Sequence, residues 1–271
     1  MSIPESPVLV EKLPDGITTI TINRPRARNA VNSATAHLLT RAFTSFENDD
    51  SQKVCVFSGV GNFCAGYDLH QVAQTTSGQP LAEPVDAVNG APGPMGPSRM
   101  ALSKPVVAAV SGHAVAGGLE LSLLADIRVA DSTAVFGVFC RRFGVPLIDG
   151  GTVRLQKVVG LGRAMDMILT GRPVGADEAL SFGLVNYVVA EGAALSAAMD
   201  LARSLLVFPQ KCMSADLVST HYSAYDARSL EDALRFEFDN GSRVIQEESV
   251  QGATRFHNGD GRGGSFSKPH I

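Results

Sequence analysis

The order of strand-like and helix-like segments predicts an α/β protein with largely parallel strand pairing and a helical C-terminal region. Three observations carry this. Short apolar runs at 53–58 (KVCVFS) and 104–110 (KPVVAAV) have no polar face, as strands buried on both sides require. Helix-patterned stretches alternate with such runs, which suits crossover connections between parallel strands. After residue 192 the pattern is helical only, in AALSAAMDLARSLL and SLEDALRFEFDNGSRVIQEE.

Val8–Lys12 and Ile17–Ile22 read as two strands joined by a Pro14-Asp15-Gly16 turn. The segment NRPRARNAVNS follows. Asn32 or Ser33 then caps a helix to about Phe46, with Leu38, Leu39, Ala42, Phe43 and Phe46 on its apolar side. The strand at 53–58 ends in the turn Gly59-Val60-Gly61, and FCAGYDL comes next. Residues 74–98 are rich in Pro, Gly, Ser and Thr and read as an exposed, mobile insertion, either a lid over a site or a plain loop. After the strand at 104–110, Gly112 and the pair Gly117-Gly118 lead into a helix, GLELSLLAD. A short strand at 127–130 follows. Then come the helices TVRLQKVVG and GRAMDMILT, closed by Gly171, a helix ADEALSFG with a glycine stop, and a strand at 184–189. No internal repeat is visible.

Composition narrows the function. Of 271 residues, 45% are hydrophobic and 18% charged, which excludes a disordered chain. The net charge is -4 and no Lys/Arg-dense run exists, which opposes a nucleic-acid partner. No apolar run approaches the roughly 20 residues of a membrane span. The N-terminus lacks a basic start and apolar core, so a cytoplasmic protein is expected. Cys55, Cys64, Cys140 and Cys212 are widely spaced, form no metal-binding pattern and read as buried small hydrophobes.

No GxGxxG follows the first strand, no phosphate-binding GxxxxGK[ST] exists, and no GxSxG marks a serine nucleophile. Two glycine-flanked turns, FCAGYD and SGHAVAGGLE, each follow a buried strand. Unpaired amides from two such turns can converge on one carbonyl oxygen and stabilise it as negative charge develops. Ordinary tight turns account equally for either alone. Glu120 lies in the first turns of the apolar stretch LELSLLA, where an acid is costly unless paired or used. It is either a favourable charge near a helix N-terminus or a proton-transfer group. His113, in SGHAVAGG, either contacts a ligand or is structural.

The blocks NRPRARNAVN, FCAGYDL, KPVVAAVSGHAVAGGLELSLLADIRVA, Phe136-Gly137, GGTVRLQKVVG and AMDMILTGRPVGADEALSFGLVNYVV resemble the crotonase superfamily, the enoyl-CoA hydratase/isomerase family, over residues 8–258. The resemblance implies a crotonase-like spiral of repeated β-β-α units over 1–195, with a C-terminal helical region and flexible tail over 196–271. It implies a homotrimer or dimer of trimers and an acyl-CoA thioester as partner. No separate cofactor or metal is implied, since coenzyme A is part of the substrate. The thioester carbonyl would rest between the backbone N–H groups of Tyr67 and Gly117. Arg26, Arg28, Ala30, Ala65 and Asp68 match the coenzyme A-binding region, with Arg24 a further candidate for the phosphates. Basic residues of the tail could also approach them.

The chain departs from the hydratase pattern at one place. The first of two catalytic glutamates matches Glu120, but the second position is Cys140, followed by Arg141 and Arg142. A neutral thiol does not replace a carboxylate as base without an activating partner. Asp149, just before Gly150-Gly151-Thr152, is the candidate second acid; alternatively it caps the following helix. Three readings stay open: a hydratase with Glu120 and Asp149 bracketing a water, an enoyl-CoA isomerase or other acyl-CoA reaction using the same acids, and an acyl-CoA binding protein.

Overall fold

The computed structural model describes residues 6–74, 85 and 92–259. Most of the 74–98 insertion, expected as a lid or loop, and the expected mobile tail beyond Gly259 lie outside the described residues.

β1 (Val8–Lys12) and β2 (Ile17–Ile22) form the expected antiparallel hairpin. Asn32 then caps α1 (Ser33–Glu47), its side chain accepting from the Thr35 N–H. β3 (Val54–Gly59) pairs parallel with β2, and β4 (Val106–Val110) parallel with β3. β6 (Ile127–Asp131) and β9 (Tyr187–Val189) complete a six-stranded sheet in the order β1-β2-β3-β4-β6-β9. A second sheet holds β5 (His113–Val115), β7 (Val135–Gly137) and β8 (Val174–Gly175).

The two sheets show how the chain winds. β4 runs into β5, and β6 into β7, so successive turns place one strand in each sheet, in parallel register. Cys64 extends this pattern to the turn after β3, through a parallel bridge to Ala114. The result is the spiral of β-β-α units that the resemblance implies. Helices fill its corners: α2 (Leu69–Ala73), α3 (Gly117–Ser122), α4 (Gly151–Val159), α5 (Leu161–Thr170) and α6 (Ala176–Phe182).

Alternation along the strands divides the core. Cys55 and Phe57 face α1, where Phe57 meets Phe43 and Phe63 edge-to-face, each at 5.2 Å. Val54 and Val56 face the other way, onto Ala197, Ala198 and Leu201 of α7 (Ala194–Leu205). This two-sided burial explains the lack of a polar face in these strands. After α7 come α8 (Gln210–Tyr225), α9 (Leu230–Val244), a π-helical turn Ile245–Ser249 and α10 (Val250–His257). No helix among the described residues is long and apolar enough to cross a membrane.

Three expectations need correction. α8 was not foreseen, because QKCMSADLVSTHYSAY buries only Ala215 and Ser219 and so carries no apolar stripe. The strand expected at 184–189 begins only at Tyr187: Leu184 and Val185 are buried, but in the turn after α6. Cys212 is exposed at the start of α8, unlike the other three cysteines.

Arg128 closes the core. It is buried, and its guanidinium donates to the carbonyls of Leu184 (2.6 Å), Ser122 (3.3 Å) and Ala125 (2.5 Å). It thereby ties the end of α3 to the approach of β9. Burial pushes its pKa down to about 10. Arg128→Met should lower unfolding free energy by about 3 kcal/mol or more, because buried carbonyls lose their donors. Urea denaturation checks this; a change below about 0.5 kcal/mol would show that the bonds are dispensable.

Candidate active site

The two glycine turns meet because their glycines let backbones touch. Gly66 has φ +100°, and a Cβ there would lie 3.0 Å from Ala116 Cβ and 3.1 Å from Gly117 N. At Gly118 an added Cβ would fall 2.0 Å from the Cys64 carbonyl oxygen. Between them Ala116 takes φ +53°, a strained value for a residue with a side chain. The Val31 N–H donates to the Gly66 carbonyl and the Asp68 N–H to the Val31 carbonyl, both at 2.8 Å. That bridge skips the N–H of Tyr67. Gly117 is the first residue of α3, where an N–H has no partner within the helix. Neither N–H has a hydrogen-bond acceptor among the described residues.

Both turns line one cavity of about 1230 Å³. Arg26, Arg28, Ala30, Ala65, Tyr67, Asp68, Gly117, Glu120 and Asp149 all line it, so the structure brings together every candidate site residue.

The two acids are nearly sealed, Glu120 at 2% and Asp149 at 3% exposure. Glu120 Oε1 accepts from the Asp149 N–H (2.9 Å) and the Gly151 N–H (2.8 Å). Glu120 therefore lies in the first turn of α3 while its side chain meets the N-terminal N–H groups of α4. Asp149 does not cap α4: Gly150 is the cap residue and makes no side-chain bond. Asp149 Oδ1 turns instead to the Met95 N–H (3.0 Å) and the Ser98 hydroxyl. Each carboxylate thus has one oxygen held by protein donors and a second without a hydrogen-bond partner among the described residues. Burial, then the nearby Asp149 charge, pushes the Glu120 carboxyl up to about 7. Burial also raises Asp149, against the opposing pull of its Ser98 and Met95 donors. The Cys140 thiol lines the cavity and is raised by burial and by Glu120, so it stays neutral.

Of the three arginines, Arg24 is already committed. Its guanidinium pairs with Asp68 Oδ2 at 3.2 Å and donates to the Ala30 carbonyl, while Asp68 Oδ1 caps α2 through the His70 N–H. Arg26 and Arg28 are exposed at the cavity and have no acidic partner among the described residues. His113 also reaches the cavity, but its Nδ1 lies 3.0 Å from Asn62 Oδ1, consistent with a structural role.

Residues that the sequence did not point to complete the site. Met95 and Ser98 are fully buried, although they come from the Pro/Gly-rich insertion, whose composition reads as exposed loop. Arg154 Nη1 donates to the Ser98 carbonyl at 2.6 Å. Its one signal was a charge inside the helical stretch GGTVRL.

The raised Glu120 carboxyl has a stability consequence. The unfolded carboxyl ionises near 4.5 and the folded one near 7, so between these values the native state holds the extra proton. Stability from this group is therefore full below about pH 4.5 and falls as pH rises through 7, by on the order of 3 kcal/mol. Glu120→Gln, which keeps an acceptor for both N–H groups, should melt above the parent at pH 8 and match it at pH 5. Equal melting at both pH values would remove the assigned shift.

The sequence model of the family described as Enoyl-CoA hydratase/isomerase matches residues 12–259. Enoyl-CoA hydratase EchA19 of Mycobacterium tuberculosis is 36% identical over 194 residues, covering 69% of this chain and 70% of the relative. A carnitinyl-CoA dehydratase of Salmonella arizonae is 38% identical over 193 residues, covering 70% and 71%. The crystal structure of enoyl-CoA hydratase EchA1 from Mycobacterium marinum superposes with TM-score 0.84 at 32% identity, covering 94% of this chain and 96% of that one.

Proposed function

We propose, from the premise that this chain belongs to the enoyl-CoA hydratase/isomerase family, that it adds water across the double bond of a 2-enoyl-CoA thioester. The observation that carries this is the placing of two buried carboxyls and two unpartnered backbone N–H groups on one cavity. The Tyr67 and Gly117 N–H groups hold the thioester oxygen. When water attacks C3, charge flows through C2 to that oxygen, and the two donors stabilise the resulting enolate. Glu120 and Asp149 bracket the water, take its proton and return one to C2. A carboxyl near 7 is suited to both giving and taking a proton at neutral pH. Arg26 and Arg28 meet the coenzyme A phosphates, and Ala30, Ala65 and Asp68 form the adjoining wall.

Cys140, in place of a second glutamate, favours one rival: an isomerase in which a carboxylate moves a proton from C2 to C4 on the same enolate. Substrate decides between them. Hydration of 2-enoyl-CoA thioesters is expected; conversion of 3-enoyl-CoA alone would replace hydratase by isomerase. Glu120→Gln should lower turnover by about a hundredfold or more while coenzyme A ester binding persists. Asp149→Asn keeps the Oδ1 acceptor for Ser98 and Met95, so it should lose turnover with little change in melting. Normal turnover in either variant would remove that residue from the chemistry.

A trimer or dimer of trimers is proposed with this function. Leu230, Leu234 and Phe238 are 75%, 53% and 72% exposed at i, i+4 and i+8 on α9, an apolar stripe suited to a second subunit. Phe238→Lys should shift the mass in solution toward monomer by light scattering; a monomeric parent would refute the assembly.

A further inference from the structure

We propose that Arg142 is a specificity-determining residue, and that the acyl group this cavity takes carries a carboxylate remote from the thioester. The inference rests on reading the cavity as an acyl-CoA site, and adds the chemical class of the acyl end.

Arg142 lines the cavity from the 3-10 turn Phe139–Phe143. Its guanidinium lies over the Phe139 ring at 5.0 Å and the Phe143 ring at 5.6 Å. It has no acidic partner among the described residues. Its neighbour Arg141 behaves differently and donates to the Ile168 carbonyl at 3.1 Å. A guanidinium held over ring faces keeps its in-plane N–H groups available, and they match a carboxylate in a two-point pair.

Position separates this cation from those assigned to coenzyme A. Arg26 and Arg28 stand on the turn between β2 and α1. Arg142 stands on a different segment, Phe139–Phe143, whose Cys140 lies within the field of Glu120 and which is followed along the cavity lining by Asp149. Arg154 and Arg99 are the cations that act on the two acids; Arg142 lines the cavity two residues beyond Cys140 and is not engaged with either acid. Glu120 and Asp149 line this cavity and, when ionised, would repel an anionic acyl group. An unengaged cation lining the same cavity offsets that repulsion and sets a neutral or cationic acyl end at a disadvantage.

Binding and turnover test this separately. Affinities of glutaryl-CoA, with a terminal carboxylate, and butyryl-CoA, without one, are measured by calorimetry on the parent, Arg142→Leu and Arg142→Lys. Turnover is compared for glutaconyl-CoA and crotonyl-CoA. The parent should favour the carboxylate-bearing member of each pair by about tenfold or more. Arg142→Leu should erase that ratio and Arg142→Lys should keep part of it. Arg142 is exposed, so all three proteins should melt alike. No preference in the parent, or an unchanged ratio in Arg142→Leu, overturns the proposal. Equal weakening of both esters also overturns it, and would assign Arg142 to the coenzyme A phosphates. If the affinity ratio depends on Arg142 but no enoyl ester is turned over, the specificity stands and the hydratase reading falls. If both enoyl esters react without discrimination, the reverse holds.

Discussion

The site is organised around a single carboxylate oxygen. Glu120 Oε1 accepts the N–H groups of Asp149 and Gly151, and so joins α3 to the head of α4. The bond needs a helix end with free donors, which α4 supplies because Gly150 offers no side chain to cap it. It also needs Gly151 bare, since a Cβ there would lie 2.9 Å from that same oxygen. Without the link, the segment carrying Asp149 would be tied to the two-amide turn through Met95 alone. With it, one acid holds the other by the backbone while both side chains stay on the cavity. The helix-end donors favour the ionised acid and burial favours the neutral one, and the balance lies near neutrality, as the proposed proton transfer in both directions needs.

Met95 makes the second joint. Its N–H holds Asp149, and its thioether presses on Gly117, where an added Cβ would meet Sδ at 2.7 Å. The donor turn and the second acid are therefore braced by one residue, and Arg154 braces that stretch in turn through the Ser98 carbonyl. The placement of these groups depends on backbone proximity, and glycine stands where that proximity leaves no room for a side chain.

The same fact explains what could be read in advance. The strands at β3 and β4, the Asn32 cap of α1 and the glycine turns carry their signals locally, in apolar runs, a short polar side chain and the dipeptides Ala65-Gly66 and Gly117-Gly118. The site residues Tyr67, Gly117 and Glu120 follow from those turns with the help of the family resemblance. Asp149 was legible as an acid before a helix, but not as an acid turned away from it, because its partners lie more than 50 residues earlier. Met95 and Ser98 were invisible: loop composition says nothing about burial that arises from tertiary contact. β5, β7 and β8, at two or three residues each, are too short for any periodicity, and only the winding of the chain makes them a sheet.

Charge divides the cavity along the same lines. Arg24 is spent on Asp68, fixing the wall at the start of α2 and neutralising that acid. That leaves Arg26 and Arg28 free for an anion held at the surface, where a long, screened phosphate chain suits flexible cations. The end with Glu120 and Asp149 is different: its carboxyls are almost dry, so a charge beside them is weakly screened, whereas Arg142 is exposed at the cavity. A side chain such as Arg142, with its rings for support, can answer only one sign. In this chain, then, the turn that carries Cys140 where the family resemblance implies a glutamate also carries Arg142, and the thiol is better read together with the charges that follow it than alone.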